Sequence, residues 1–234
     1  MACMCNKFNS VKMKLTAEIL NNICPGLARP QAIADVINKV VPAYGMDSAD
    51  ILEDFIPNLL VECQEFTHFE ESLNYSAEAL IEKFSRQRIS EMEAKTYGRT
   101  NMQKANQQAI ANCIYGGEWG KINLGNTISG DGWAFRGSGP LQATGRAEIT
   151  NFMKFYNAKF GTSLSISEIA TMMRDKENIE MGMHFACWFF SMAKGLIPMA
   201  IADDFRGIVK KINGGYNGLD ERTKYYERCK KYLS

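Results

Sequence analysis

The stretch FIPNLLVECQEFTHFEESLNYSAEAL, residues 55–80, decides how this chain reads. It opens on an apolar run from Phe55 to Val61, passes through acidic and aromatic residues, and closes on Ser76 and a helical pattern. Glu62 ends the apolar run, and Glu71 follows nine positions later. Hydrolysis of a sugar bond uses one carboxyl held protonated by poor solvation and another kept ionised to activate water. A carboxylate at the edge of an apolar wall suits such work. At about 100° per residue, nine positions put the two side chains roughly half a turn out of register on one helix. Both can serve one site only if the helix ends between them, and Phe66-Thr67-His68-Phe69 is a poor helix former. Glu62 is therefore expected in the last turn of a buried helix, and Glu71 on an irregular stretch that folds back across a cleft. The plain alternative is a solvated acidic surface at Glu65, Glu70 and Glu71, with Glu62 a helix-end charge.

Outward from this segment the chain reads as mainly helical. Helices are expected over 15–23 behind Thr16, over 31–41, from Ser48 or Asp50 through Val61 with a kink at Pro57, and over 77–84 behind Ser76. Further helices are expected over 101–114, 147–160, 167–174, 178–194 and 220–233. Between them, residues 115–145 turn Gly-rich, with Asp, Asn and Trp. That reads as a long loop with short strands near 133–136 and 141–143, of a length usually tied to function. Trp119, Trp133 and Phe135 suit stacking against sugar rings, or else the packing of the loop on itself. Trp188, Phe189 and Phe190 read as core, Asp131 as a turn former, and Tyr75 as core or cleft wall. Asn213-Gly214-Gly215 could be a turn, and Arg222 a surface charge or a structural ion pair.

The chain has 234 residues, 27 basic against 26 acidic, and 46% apolar content. That suits one large domain or two lobes with a real core. The near-zero net charge argues against a dedicated nucleic-acid binder. No apolar run is long enough for a membrane span, and the N-terminus lacks the apolar core of an export signal. Seven cysteines in scattered positions read as reduced thiols, not a disulfide framework. Cys3-x-Cys5, His68 and His184 lack the spacing of a zinc site.

Five stretches in order then carry a resemblance: Glu62 through LNYSA at 73–77, IANCIYGG at 110–117, GDGWAFRGSGPLQATGR at 130–146, ACWFF at 186–190 and KINGGYNGLDER at 211–222. In these the chain resembles glycoside hydrolase family 19, in the branch similar to bacteriophage endolysins and lysozyme-like chitinase homologues. The resemblance implies a mainly α, bilobal helical fold with a long Gly-rich loop and at most a small β element. It implies one catalytic domain over 15–234 behind an extension at 1–14. Glu62 stands where the family has its general acid, and Glu71 where the branch has its second carboxylate. Gln142 and Thr144 fall on G-x-G-x-x-Q-x-[ST], where the hydroxyl resembles one that holds the attacking water. Asn213 matches a sugar-contacting Asn and Arg222 the basic residue after it, while Tyr75 and Trp133 are the expected aromatic contacts to substrate. Val61-Glu62-Cys63 departs from the usual His-Glu-Ser, Ser138 from an Arg, and Ala143 from a Leu.

The expected activity is inverting hydrolysis of β-1,4 bonds in peptidoglycan, with about 6.5–9.5 Å between the carboxyl groups to admit water. No cofactor or metal is implied, and the expected partner is peptidoglycan or a chitin-like polysaccharide, bound by a monomer. The setting implied is cytoplasmic synthesis without a signal peptide, then action on the wall after holin-type release or lysis, or carriage in a virion. The alternatives are a chitinase on the same scaffold and a non-catalytic glycan-binding or virion structural protein.

Overall fold

Thr16 opens the first helix. Its hydroxyl accepts the Ile19 N–H, and α1 runs Ala17–Ile23. The structure, a computed structural model, describes residues 12–233. Cys3, Cys5 and most of the expected extension at 1–14 lie outside those residues. By its contacts the chain forms two units, one ending at Phe66 and resuming at Ala186, the other Thr67–Phe185. The described residues are mainly helical, with isolated bridges as their only β pairing.

In the first unit, α2 (Pro30–Val40) begins on a proline, whose missing N–H costs nothing in a first turn. A 3-10 turn follows at Val41–Tyr44. α3 (Ala49–Glu62) then runs through Pro57, and every residue from Ile51 to Leu60 is buried. A helix apolar enough to be covered on all sides is a core helix, and each fully buried large side chain such as Phe55 or Leu59 contributes about 1.5–3 kcal/mol.

α3 stops at Glu62 because Gln64, Glu65 and Phe66 take φ values of 47°, 56° and 62°. Left-handed backbone costs a non-glycine residue roughly 1–2 kcal/mol. Local bonds and burial offset it. The Glu65 N–H donates to the Leu60 carbonyl at 2.7 Å, Tyr225 Oη donates to Glu65 Oε1 at 2.5 Å, and Phe66 is buried.

The second unit begins with α4 (Ala77–Lys83), capped by Ser76 as expected. α5 (Glu91–Tyr97) was not anticipated, although Ser90 and Glu93 form a capping box. α6 (Gln107–Ile114) starts only after Asn106, which caps it, so the helix expected from 101 loses its first six positions. The Gly-rich segment is more helical than expected. It holds α7 (Gly117–Leu124) and α8 (Asp131–Ala134), the second replacing the strand expected at 133–136. Glycine serves close packing here: a Cβ on Gly132 would lie 2.4 Å from the Ala111 carbonyl oxygen. Asp131 is buried with Arg146, which donates to both its oxygens at 2.6 and 2.7 Å. Burial alone would raise that carboxyl, but Arg146 and the Ile128 N–H hold it below the usual carboxylate range. α9 (Arg146–Phe160) and α10 (Ile166–Met173) follow, then α11 (Glu180–Trp188), within which the chain leaves the second unit. Leu73, Leu80, Ile89, Ile110 and Ile114 form an apolar cluster of this unit.

Back in the first unit, the helix expected over 178–194 changes to a π-helical turn at Phe189–Ala193. α12 (Ile197–Ile201), α13 (Phe205–Asn213) and α14 (Leu219–Leu233) complete the chain. α14 lies along α3, and α1, α12 and α13 pack around that pair. Phe190 meets Phe55 edge-on at 5.3 Å between ring centres, and Trp188 and Phe189 are buried, as expected of core residues.

The described cysteines, Cys24, Cys63, Cys113, Cys187 and Cys229, are free thiols. Burial pushes Cys24 and Cys113 up to about 11 and Cys63 to about 12, which keeps them protonated and unreactive at neutral pH. No helix among the described residues is long and apolar enough to cross a membrane.

Candidate active site

Glu62 belongs to the first unit and Glu71 to the second. Around Glu62 the arrangement is set by α3 and α14. Arg222 is not a surface charge: it is 2% exposed, and its guanidinium is shared along one face of α3. Nη2 donates to Glu62 Oε1 at 2.5 Å, and Nη1 to Asn58 Oδ1 at 2.7 Å. Asn58 is oriented in turn by donating Nδ2 to the Asp54 carbonyl at 2.8 Å. Asn58 and Glu62 are four residues apart and so lie on one face. Arg222 Nε has no partner among the described residues. Glu62 keeps its side chain 22% exposed. Only Oε1 is engaged, and Oε2 makes no hydrogen bond among the described residues. Asn213 ends α13, where Gly214 at φ 70° makes the left-handed cap. Its Nδ2 donates to the Asn217 carbonyl at 2.8 Å, so this side chain closes the turn that the sequence offered as an alternative.

Glu71 lies on extended backbone that pairs with residues 137–139. Its N–H donates to the Gly137 carbonyl at 2.9 Å, and the Gly139 N–H donates to that of Phe69 at 2.8 Å. Ser138 and Ala143 then exchange both backbone bonds, at 3.0 and 2.8 Å. This is all that remains of the strand expected at 141–143. Successive side chains alternate along extended backbone, so Glu70 and Glu71 have different partners. Glu70 pairs with Arg136. Glu71 Oε1 accepts Tyr115 Oη–H at 2.7 Å, and Oε2 accepts the Gly137 N–H at 3.2 Å. Burial, and then the Glu71 charge, push the Tyr115 phenol above its ordinary range, so Tyr115 stays a donor.

Gln142 reaches the same place. Its φ of 52° turns the chain back after Gly139. Its Oε1 lies so close to Gly137 that a Cβ there would sit 2.5 Å from it and 3.0 Å from the Glu71 Cβ. Thr144 Oγ1 donates to the Gln142 carbonyl at 2.9 Å. The hydroxyl proton is committed to the turn, and toward water the oxygen can act only as acceptor. Glu71, Gln142 and Thr144 therefore share one small β-turn framework, which Tyr115 completes. Tyr115 lies within the IANCIYGG stretch but was not singled out, since nothing local says that its hydroxyl meets a residue 44 positions away.

The aromatic contacts are less open than the sequence suggests. The Arg136 guanidinium lies 3.6 Å from the centre of the Trp133 ring, and that of Arg88 3.8 Å from Trp119. Each ring thus has one face covered by a cation. Tyr75 meets Phe84 edge-on at 5.6 Å and packs on the cluster of Leu73 and Leu80. At Ser138, where the resemblance expects Arg, Arg174 arrives from the end of α10 and donates to Oγ at 3.0 Å.

No family model matches the chain. A Haemophilus influenzae protein described as a glycosyl hydrolase family 19 domain-containing protein is 29% identical over 216 residues, covering 92% of this chain and 94% of that protein. The chain is similar to a family 19 glycosyl hydrolase domain protein along nearly its whole length. That similarity supports a glycoside hydrolase, and the mainly helical fold agrees with it.

Proposed function

We propose that the chain hydrolyses β-1,4 glycosidic bonds of bacterial peptidoglycan by single displacement, in the manner of an endolysin. The observation that carries the reading is the contrast between the two carboxyl groups. Glu71 is held from both sides by donors, the Tyr115 hydroxyl and the Gly137 N–H. This is the setting of a carboxylate that accepts and can take a proton from water. Glu62, at the end of a buried helix, keeps one oxygen unengaged beside the Arg222 bond, so that oxygen can deliver a proton to the leaving sugar. In this reading Gln142 and Thr144 position the water, and Asn213, Arg222, Tyr75 and Trp133 line the sugar path. The chain works as a monomer without cofactor, on the wall, after holin-type release or lysis. The family 19 relative supports the glycosidase level of this proposal.

Product analysis tests it. Digestion of purified peptidoglycan should release new reducing ends whose first-formed anomer is α, because one displacement inverts a β bond once. Initial β products would require a retaining path and another role for Glu71. Hydrolysis of glycol chitin with peptidoglycan left intact would make the enzyme a chitinase, and activity on neither would favour a glycan-binding protein.

Thr144→Val is expected to lower kcat about tenfold to a hundredfold with KM nearly unchanged, the cost of roughly 1–3 kcal/mol for one positioning bond in the transition state. Thr144→Ser should keep most activity. A lower Tm with normal turnover of the folded fraction would assign the hydroxyl to the Gln142 turn alone.

A further inference from the structure

α3 also carries carboxyl groups away from Glu62. Glu53 precedes Glu62 by nine residues and so faces roughly the opposite side of the helix. It is 8% exposed, yet its carboxyl makes no hydrogen bond among the described residues. Asp54 beside it is 1% exposed, and its Oδ1 also lacks a partner. Glu53 lines a pocket of about 360 Å³ with Asp50, Asp203, Lys230, Ala200 and Ile201.

The charges in this pocket do not cancel. Lys230 Nζ lies 3.1 and 3.2 Å from the two Asp203 oxygens, and Asp203 also accepts the Tyr226 hydroxyl. With that pair balanced, Glu53 and Asp50 are surplus negative charge. Burial holds the Glu53 carboxyl above its ordinary range, with Lys230 opposing and Asp50 and Asp203 adding to the effect. The Glu53 oxygens, not among the sealed polar atoms, reach the pocket, and a cationic donor there satisfies a carboxyl that burial leaves poorly solvated. Ile201, 62% exposed, and Ala200 add an apolar wall to the acidic floor. No three His, Cys, Asp or Glu residues among those described come together as a metal-binding set. The chemistry therefore suits a cation that needs few ligands and brings its own apolar chain.

We propose that this pocket binds a primary alkylammonium group, with Glu53 as its counterion and Ile201 against the alkyl chain. The group can come from a free diamine or from the side-chain amine of a wall peptide. The site is separate from the proposed catalytic residues, and its test reads binding without turnover.

Titration of the full chain with 1,5-diaminopentane, followed by NMR of the backbone amides at 50–53 and 200–203, should give saturable shifts. Glu53→Gln should weaken binding at least about tenfold, and Asp50→Asn, at an exposed position where folding is not at stake, several-fold. No saturation, an equal response to 1-pentanol, or unchanged affinity in both variants overturns the proposal. Given saturable binding, cosedimentation of the Glu62→Gln chain with peptidoglycan, before and after acetylation of its amines, separates the sources. Retention lost both on acetylation and on adding Glu53→Gln identifies the wall peptide. Retention indifferent to both identifies the free diamine.

Discussion

Glu62→Gln is expected to reduce turnover on peptidoglycan by about two to four orders of magnitude, the usual span of a general acid, while leaving the fold in place. The amide is nearly the same shape, and its oxygen can still accept from Arg222 Nη2, so the Arg222–Asn58 link on the buried face of α3 survives. In the proposed reading only the transferable proton is lost. The measurement is an initial rate set beside Tm on the same preparation. Near-normal rate in a folded variant would remove Glu62 from the chemistry, and a large fall in Tm would mean that the ion pair with Arg222 chiefly holds the helices. Substrates with an activated leaving group need less acid assistance and should lose much less rate. That difference separates loss of the acid from general damage.

Glu71→Gln should be similarly severe for a different reason. Both oxygens of Glu71 accept bonds, from Tyr115 and from the Gly137 N–H. An amide can accept with one atom only, so with its oxygen on the Gly137 N–H its NH2 faces Tyr115, whose hydroxyl must turn from donor to acceptor and leave its own proton without the carboxylate, a loss of about 1–3 kcal/mol for a part-buried group. In the proposed reading the variant thus loses the base and loosens the Tyr115 contact, and Tm should drop modestly along with the rate. Azide, a small nucleophile that needs no deprotonation, should restore part of the lost rate in Glu71→Gln and none in Glu62→Gln. Full activity in Glu71→Gln would send the search for the base to the two carboxylates of α4, Glu78 and Glu82.

Much of the fold was legible from local rules. Thr16 and Ser76 cap the helices they were expected to cap, because a hydroxyl three residues before a free N–H acts over one turn of chain. The placement of Glu62 in the last turn of a buried helix, with Glu71 on irregular chain beyond it, also followed from spacing. The Gly-rich segment misled. Its glycines permit close approach, as Gly132 does against Ala111, so short helices form where composition alone reads as loop.

What the sequence determined by itself was the mainly helical class, the helix end between Glu62 and Glu71, and the set of motif residues. Only the tertiary structure decided the partners of those residues. Arg222 is 160 positions from Glu62, and Tyr115 44 positions from Glu71. Caps and periodicity act within a turn or two of chain, and they carry no information about which distant donor will fill a carboxylate's free lone pairs. That is settled by how α14 lies along α3 in one unit, and by how the backbone at 69–71 pairs with 137–139 in the other.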